Sequence, residues 1–142
     1  MSFEHGIRTK VVELLAVLHA VPVENSVQQG TPDVNCSVGW IEIKYVPQWP
    51  ARGGPVRVEH FTTQQRWWLK QRRLARGSCW LLLRVANDWL LLRGCWAADH
   101  LGTATREELE TGARCVWRGT APRNTELVGA LLQDHGQQRQ GA

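Results

Sequence analysis

Three charged residues of this chain have the types and spacing to do chemistry together: Asp33, Glu42 and Lys44, within the stretch GTPDVNCSVGWIEIK that begins at Gly30. Side chains alternate faces along a strand, so Glu42 and Lys44 point to one side and Ile41 and Ile43 to the other. If the preceding short run folds back on this one, two carboxylates and an ammonium meet at one end of a hairpin. Carboxylates are hard oxygen ligands that suit Mg²⁺ or Mn²⁺, and Mg²⁺ needs few protein groups and keeps waters for reaction. A lysine beside such a pair can orient or deprotonate a water, or offset charge on a phosphate.

The elements that must position these groups can be read in order. Residues 3–19 carry Ile7, Val11, Leu14, Leu15 and Leu18 at helical spacing. Glu4 falls on that apolar face and Glu13 on the opposite, solvated side; an acid at the start of a helix complements its positive end. Pro22 ends the helical pattern, and residues 20–32 read as a loop with one extended piece, in which nothing demands a role for Glu24. Residues 33–36 and 40–46 then form the hairpin, connected by Ser37, Val38 and Gly39, with Val34 and Ile43 toward the core. Residues 47–60, rich in proline and glycine, read as a mobile basic loop in which Trp49 and Arg52 can stack on a base or grip a phosphate.

A second helix is expected over residues 62–76. Thr62 and Gln65 have capping-box spacing, Trp68 and Ala75 mark the inner face, Arg66, Lys70 and Arg73 the outer one, and Gly77 the end. Gln65 either completes the cap or turns inward, where it must find hydrogen bonds. The apolar run Cys79–Val85 reads as a strand covered on both faces and joined to residues 40–46 by a parallel crossover. A turn at Asn87-Asp88 leads to an antiparallel strand, Trp89–Arg93. Further on, Thr105–Thr111 is expected as a short helix, Arg114–Trp117 as an edge strand and Thr125–Leu132 as a closing helix. The chain thus reads as one domain over residues 1–134 with a loose tail over residues 135–142.

Gly30-Thr31-Pro32-Asp33-Val34, Glu42-Ile43-Lys44 and Gln65 with Trp68 and Leu69 together resemble the core of the PD-(D/E)XK nuclease superfamily, in particular the VRR-NUC group and Holliday junction resolvases. The resemblance covers roughly residues 1–86. It implies an α/β, restriction-endonuclease-like core: a central mixed β-sheet flanked by helices. It implies a Mg²⁺- or Mn²⁺-dependent DNA endonuclease, selective for junction or branched DNA, in phage-type recombination, repair or replication. Asp33 and Glu42 would hold the metal, the Ile43 carbonyl would be a third ligand, and Glu4 would stand near it as the acid of the first helix. Lys44 and Gln65 would act on the water, and a dimer is implied by the resolvases. The runner-up reading is a non-catalytic nucleic-acid binder on the same fold.

Composition narrows the classes. With 142 residues and 43% hydrophobic side chains the chain can bury a core and is not of disordered type. No apolar run approaches a membrane span, and the start MSFEHGIRTK lacks a secretory pattern, so a cytoplasmic location is expected. Cys36, Cys79, Cys95 and Cys115 lack zinc-site spacing. The net charge of +4 is unevenly spread: Arg52, Arg57, Arg66, Lys70, Arg72, Arg73, Arg76 and Arg84 face only Glu59 within residues 45–87. Such a segment suits a polyanion, and Arg52, Arg57, Arg66, Lys70 and Arg73 are its candidate phosphate contacts. Eight tryptophans are expected mostly in the core or at an interface between two copies.

Overall fold

Alternating side chains along the central strands commit the chain to two cores, one on each face of a sheet. In the computed structural model, which describes residues 3–140, six strands line up in chain order: β1 (Val21–Pro22), β2 (Val34–Cys36), β3 (Gly39–Val46), β4 (Cys79–Val85), β5 (Asp88–Arg93) and β6 (Cys115–Trp117). All neighbours are antiparallel except β3 and β4, which are parallel. The sheet is therefore mixed, and helices flank it as expected. Helix α1 (Phe3–Leu14) precedes β1, and α2 (Thr63–Leu74) makes the crossover between β3 and β4. Helices α3 (Gly94–His100), α4 (Arg106–Gly112) and α5 (Asn124–Gln140) follow β5. No helix among the described residues is long and apolar enough to cross a membrane.

On one face Ile41, Ile43, Trp80, Leu82, Trp89 and Leu91 pack with Ile7, Val11 and Leu15 of the first helical segment and Leu127 and Leu131 of α5. On the other, Leu81, Leu83, Leu90 and Leu92 pack with Trp68 and Leu69 of α2 and Ala97 and Ala98 of α3. Helix α5 is tied down by Asp134, which is fully buried, 2.8 Å from the Arg93 guanidinium, and accepts a hydrogen bond from Trp80 Nε1 at 3.1 Å. The expected loose tail instead continues α5 through residue 140, and His135 hydrogen-bonds Ser78; residues 141 and 142 lie outside the described residues.

Several boundaries differ from expectation for local reasons. Helix α1 stops at Leu14 and a 3₁₀ turn, Ala16–Leu18, finishes the segment. Helix α2 ends through Arg76, which takes the left-handed conformation that Gly77 was expected to supply. Its inner face is Trp68 with Leu69, while Ala75 is an exposed C-cap. The β4–β5 turn is Ala86-Asn87, one residue earlier than expected. Helix α3 has no apolar stripe long enough to announce it. The 47–60 loop is pinned rather than mobile: Val56 is buried and its N–H donates to the Ala104 carbonyl at 2.9 Å, and Trp49 Nε1 donates to Asp88 at 2.8 Å.

The β2–β3 hairpin closes over Ser37-Val38, and Gly39 opens β3 at φ 147°. A Cβ there would lie 2.3 Å from the Ser78 carbonyl oxygen and 2.7 Å from the Trp80 ring. Only glycine allows the hairpin to lie this close to the start of β4. Gly39→Ala is expected to destabilise the fold by about 2 kcal/mol or more, from strain and displaced packing, measured as a lower urea midpoint with an unchanged slope.

Candidate active site

The register of the hairpin determines where the charged residues meet. Val34 pairs with Ile41. One residue further out, Asp33 lies opposite Glu42, and residues opposite one another on antiparallel strands share a face. Asp33 is clamped on both sides: its carbonyl accepts the Val23 N–H at 2.8 Å, and its Oδ2 accepts the Ile43 N–H at 2.8 Å. Because N–H and C=O of a strand residue point to the same edge, the Ile43 carbonyl also emerges on the Asp33 side, beyond the last β2–β3 pair.

Glu42 and Lys44 stand where the sheet would otherwise be apolar. In the parallel register Glu42 is beside Leu81 and Lys44 beside Leu83, on the face that α2 covers. Glu42 is 2% exposed and Lys44 3%, and Lys44 Nζ lies 3.1 Å from Glu42 Oε2. The same ammonium donates to the His60 carbonyl at 3.1 Å. His60 itself sits at φ 61°, a strained conformation for a residue other than glycine, and this turn aims its carbonyl inward. Burial first, and the adjacent Asp33 carboxylate second, push the Glu42 carboxyl up to about 8, despite the pull of Lys44. The site therefore brings two carboxyl groups together, Glu42 buried and Asp33 half-exposed at its edge, beside one fixed and buried ammonium.

From Asp33 the site opens into a cleft of about 190 Å³ that is also lined by Glu4, His5 and Arg8. Glu4 also lines a neighbouring cleft with Phe3, Tyr45, Pro47, Glu59 and His60. Arg8 was not singled out in the sequence, although it lies one helical turn after Glu4 and so shares its face. Its guanidinium bonds His5 Nδ1 at 3.1 Å and reaches Glu24 at 3.5 Å, which gives Glu24 a role the sequence did not suggest. The larger surface grooves lie elsewhere, along the 46–57 segment and beside α2.

The other expected residues divide. Gln65 forms the capping box: its Oε1 accepts the Thr62 N–H at 2.9 Å, and Thr62 Oγ1 accepts the Gln65 N–H at 3.1 Å. Lys44 is oriented by Glu42 and His60 instead. Gly30 packs its backbone against residues 64 and 65, where a Cβ would lie 2.6 Å from the Gln64 carbonyl oxygen, and this ties the Asp33 loop to the start of α2. Arg66 is used for packing: it donates to the Ala98 carbonyl at 3.0 Å and covers the Phe61 ring at 4.2 Å. Lys70 pairs with Asp99 of α3 at 2.9 Å. Arg66 is thereby drawn into packing, while Lys70, half-exposed beside Asp99, stays among the candidate phosphate contacts. Arg73 is half-buried, and Arg52 and Arg57 are exposed on the loop that leaves β3. Trp49 is held by Asp88, with Arg106 over one face of its ring at 4.5 Å, and it lines the groove along the 46–57 segment.

The donor set fits Mg²⁺ or Mn²⁺. Two carboxylates pressed together in a desolvated site are relieved by a divalent cation, and the Ile43 carbonyl adds a third hard oxygen. Among the described residues no cluster of three or more His, Cys, Asp or Glu is grouped for a metal. Glu4 thus borders the cleft without completing a cluster of carboxylates. No protein-family model matches the chain, and no curated protein matches it in sequence.

The raised Glu42 value gives a signed prediction for the metal-free protein. Below the unfolded value of 4.5 the carboxyl is protonated in both states; between 4.5 and about 8 only the folded chain keeps the proton. The Glu42 contribution to stability is thus fully present below 4.5 and is lost as pH rises through about 8. In a chelator, melting temperature should fall more from about pH 6 to about pH 9 in the native protein than in Glu42→Gln, by a few degrees. Adding Mg²⁺ should restore the native protein at the alkaline end and leave the variant unchanged. Equal slopes in thermal melts would show that Glu42 does not bear this load.

Proposed function

We propose that the chain is a metal-dependent nuclease that hydrolyses phosphodiester bonds of DNA, with junction or branched DNA as the preferred class. One observation carries the reading: Asp33 and Glu42 converge beside Lys44 on a sheet face that is otherwise apolar, with Asp33 lining an open cleft. Two ionisable side chains buried where leucines would pack are costly, so their presence is better explained by function than by stability. The resemblance of the Asp33, Glu42-Ile43-Lys44 pattern to the PD-(D/E)XK nucleases supports the same reading.

Asp33, Glu42 and the Ile43 carbonyl would hold Mg²⁺ or Mn²⁺. When bound, the metal supplies Lewis-acid polarisation of the phosphate and a water of lowered pKa. Lys44 is fixed by Glu42 and the His60 carbonyl and can reach only a short distance, which suits it to place the attacking water and offset charge that builds on phosphoryl oxygens. Glu42, with its proton held up to about 8, would hold the metal as the carboxylate, so that metal binding would release a proton. Arg8 borders the same cleft at a weakly held, exchangeable distance from Glu24, and is placed to meet a phosphate there. Arg52, Arg57, Lys70 and Arg73 complete the backbone contacts, which fix register rather than sequence.

Labelled duplex, flap, single-stranded and four-way-junction DNA, each with and without Mg²⁺ or Mn²⁺, tests the activity. Asp33→Asn keeps an acceptor for the Ile43 N–H, and Lys44→Met keeps the aliphatic stem. Each should lower metal-dependent cleavage at least about a hundredfold while binding measured in chelator changes less than about threefold. Cleavage that survives both substitutions would overturn the mechanism.

A further inference from the structure

Seven of the eight tryptophans are buried or half-buried; Trp67 alone is exposed, at 58%. Its neighbour Trp68 is buried, packs edge-on to Trp40 at 5.3 Å, and carries the Arg72 guanidinium 4.5 Å above its ring. Trp67 instead lines a groove of about 470 Å³ on the outer side of α2, together with Gln28, Trp68, Gln71, Arg72 and Ala75. This lining is chemically specific. It offers one open aromatic face, two primary amides able to bond base edges, and an arginine whose described partners are ring faces. It includes no carboxylate, and Arg76 is exposed just beyond the end of the helix.

We propose that this groove is a binding site for unpaired nucleobases, with Trp67 as the stacking platform, Gln28 and Gln71 facing base edges and Arg72 the backbone. The lining suits single-stranded nucleic acid: stacking is tolerant of sequence because every base has a π face, and cations follow the phosphates. The groove is also placed to act with the site above. Trp67 is four residues, about 6 Å of helix axis, from the first residue of α2, and that end of α2 follows the His60 turn that holds Lys44. Gln28 lies on the loop that Gly30 packs against the same end. A strand with a phosphate at Asp33 would pass Trp67 within a few nucleotides. The substrate would then be DNA with an unpaired segment beside the cleaved bond. The choice of a nucleic acid as occupant rests on the nuclease reading; the stacking site itself does not need catalysis.

Binding in chelator, where no metal-dependent cleavage occurs, separates the two. Fluorescently labelled oligo-dT and a duplex of equal length are titrated against the native chain, Trp67→Ala, Trp67→Phe and Asp33→Asn. The native chain and Asp33→Asn should prefer the single strand. Trp67→Ala should weaken single-strand binding by roughly five- to a hundredfold and duplex binding less than twofold, and Trp67→Phe should keep most of the affinity. Trp67 is solvent-exposed, so neither variant threatens the fold, and circular dichroism checks this. Single-strand affinity unchanged in Trp67→Ala would overturn the proposal. So would sedimentation showing that Trp67, with the exposed Leu74 one heptad on, instead holds two copies together. A chain that cleaves nothing but keeps the Trp67-dependent preference would sink the nuclease reading and leave this site standing.

Discussion

The contact between Glu42 and Lys44 sets the terms for everything around it. Two ionisable side chains lie almost wholly out of water, on a strand whose partner offers leucine at both registers. An isolated charge in such a place costs several kcal/mol or more, and even a pair recovers the cost only when its remaining hydrogen bonds are met. Lys44 meets this with the His60 carbonyl, which requires the strained turn before α2. Glu42 meets it with Lys44 and with the Asp33 carboxyl group. The strained turn and the paired carboxyl groups are both beside the cleft, while the rest of the sheet is packed with Leu, Val, Ile and Trp.

The scaffold around the pair has little freedom. Gly39 fixes the hairpin against β4, Gly30 fixes the Asp33 loop against α2, and the Thr62–Gln65 cap fixes where α2 begins. Several cations that look like a binding surface in the sequence are spent on this framework. Arg66 and Lys70 link α2 to α3, Arg84 bonds the Ala86 carbonyl of the β4–β5 turn, and Arg72 lies over the Trp68 ring. Net charge in a segment measures how many cations are present, not how many are free.

The site was legible because it obeys a period of two. Alternation alone placed Glu42 and Lys44 on one face and Ile41 and Ile43 on the other, and the short connection placed Asp33 across from Glu42. The crossover and the continuous apolar strand Cys79–Val85 were legible for the same reason: length, period and flanking turns agree. Helix α3 was not, because its seven residues carry too few apolar positions to show a stripe, and its existence depends on packing with α2. The roles of Arg66, Gln65 and Trp49 were not legible either. A side chain's partner across the fold, unlike its period, is not written in its own neighbourhood. Arg8 and the His60 carbonyl were missed on the same ground, the second because a main-chain oxygen leaves no mark on composition.

The two outer strands of the sheet bear on how copies of this chain can meet. β1 is two residues long and one of them is Pro22, which has no N–H to offer; β6 has three residues. Neither margin can template a further strand, since a ladder needs a run of alternating free donors and acceptors. Continuous sheets across a dimer, domain swapping by strand addition and fibril growth from the native state are thereby disfavoured. Contact between copies is left to side chains on helices and loops, where single substitutions can make or unmake it without touching the backbone.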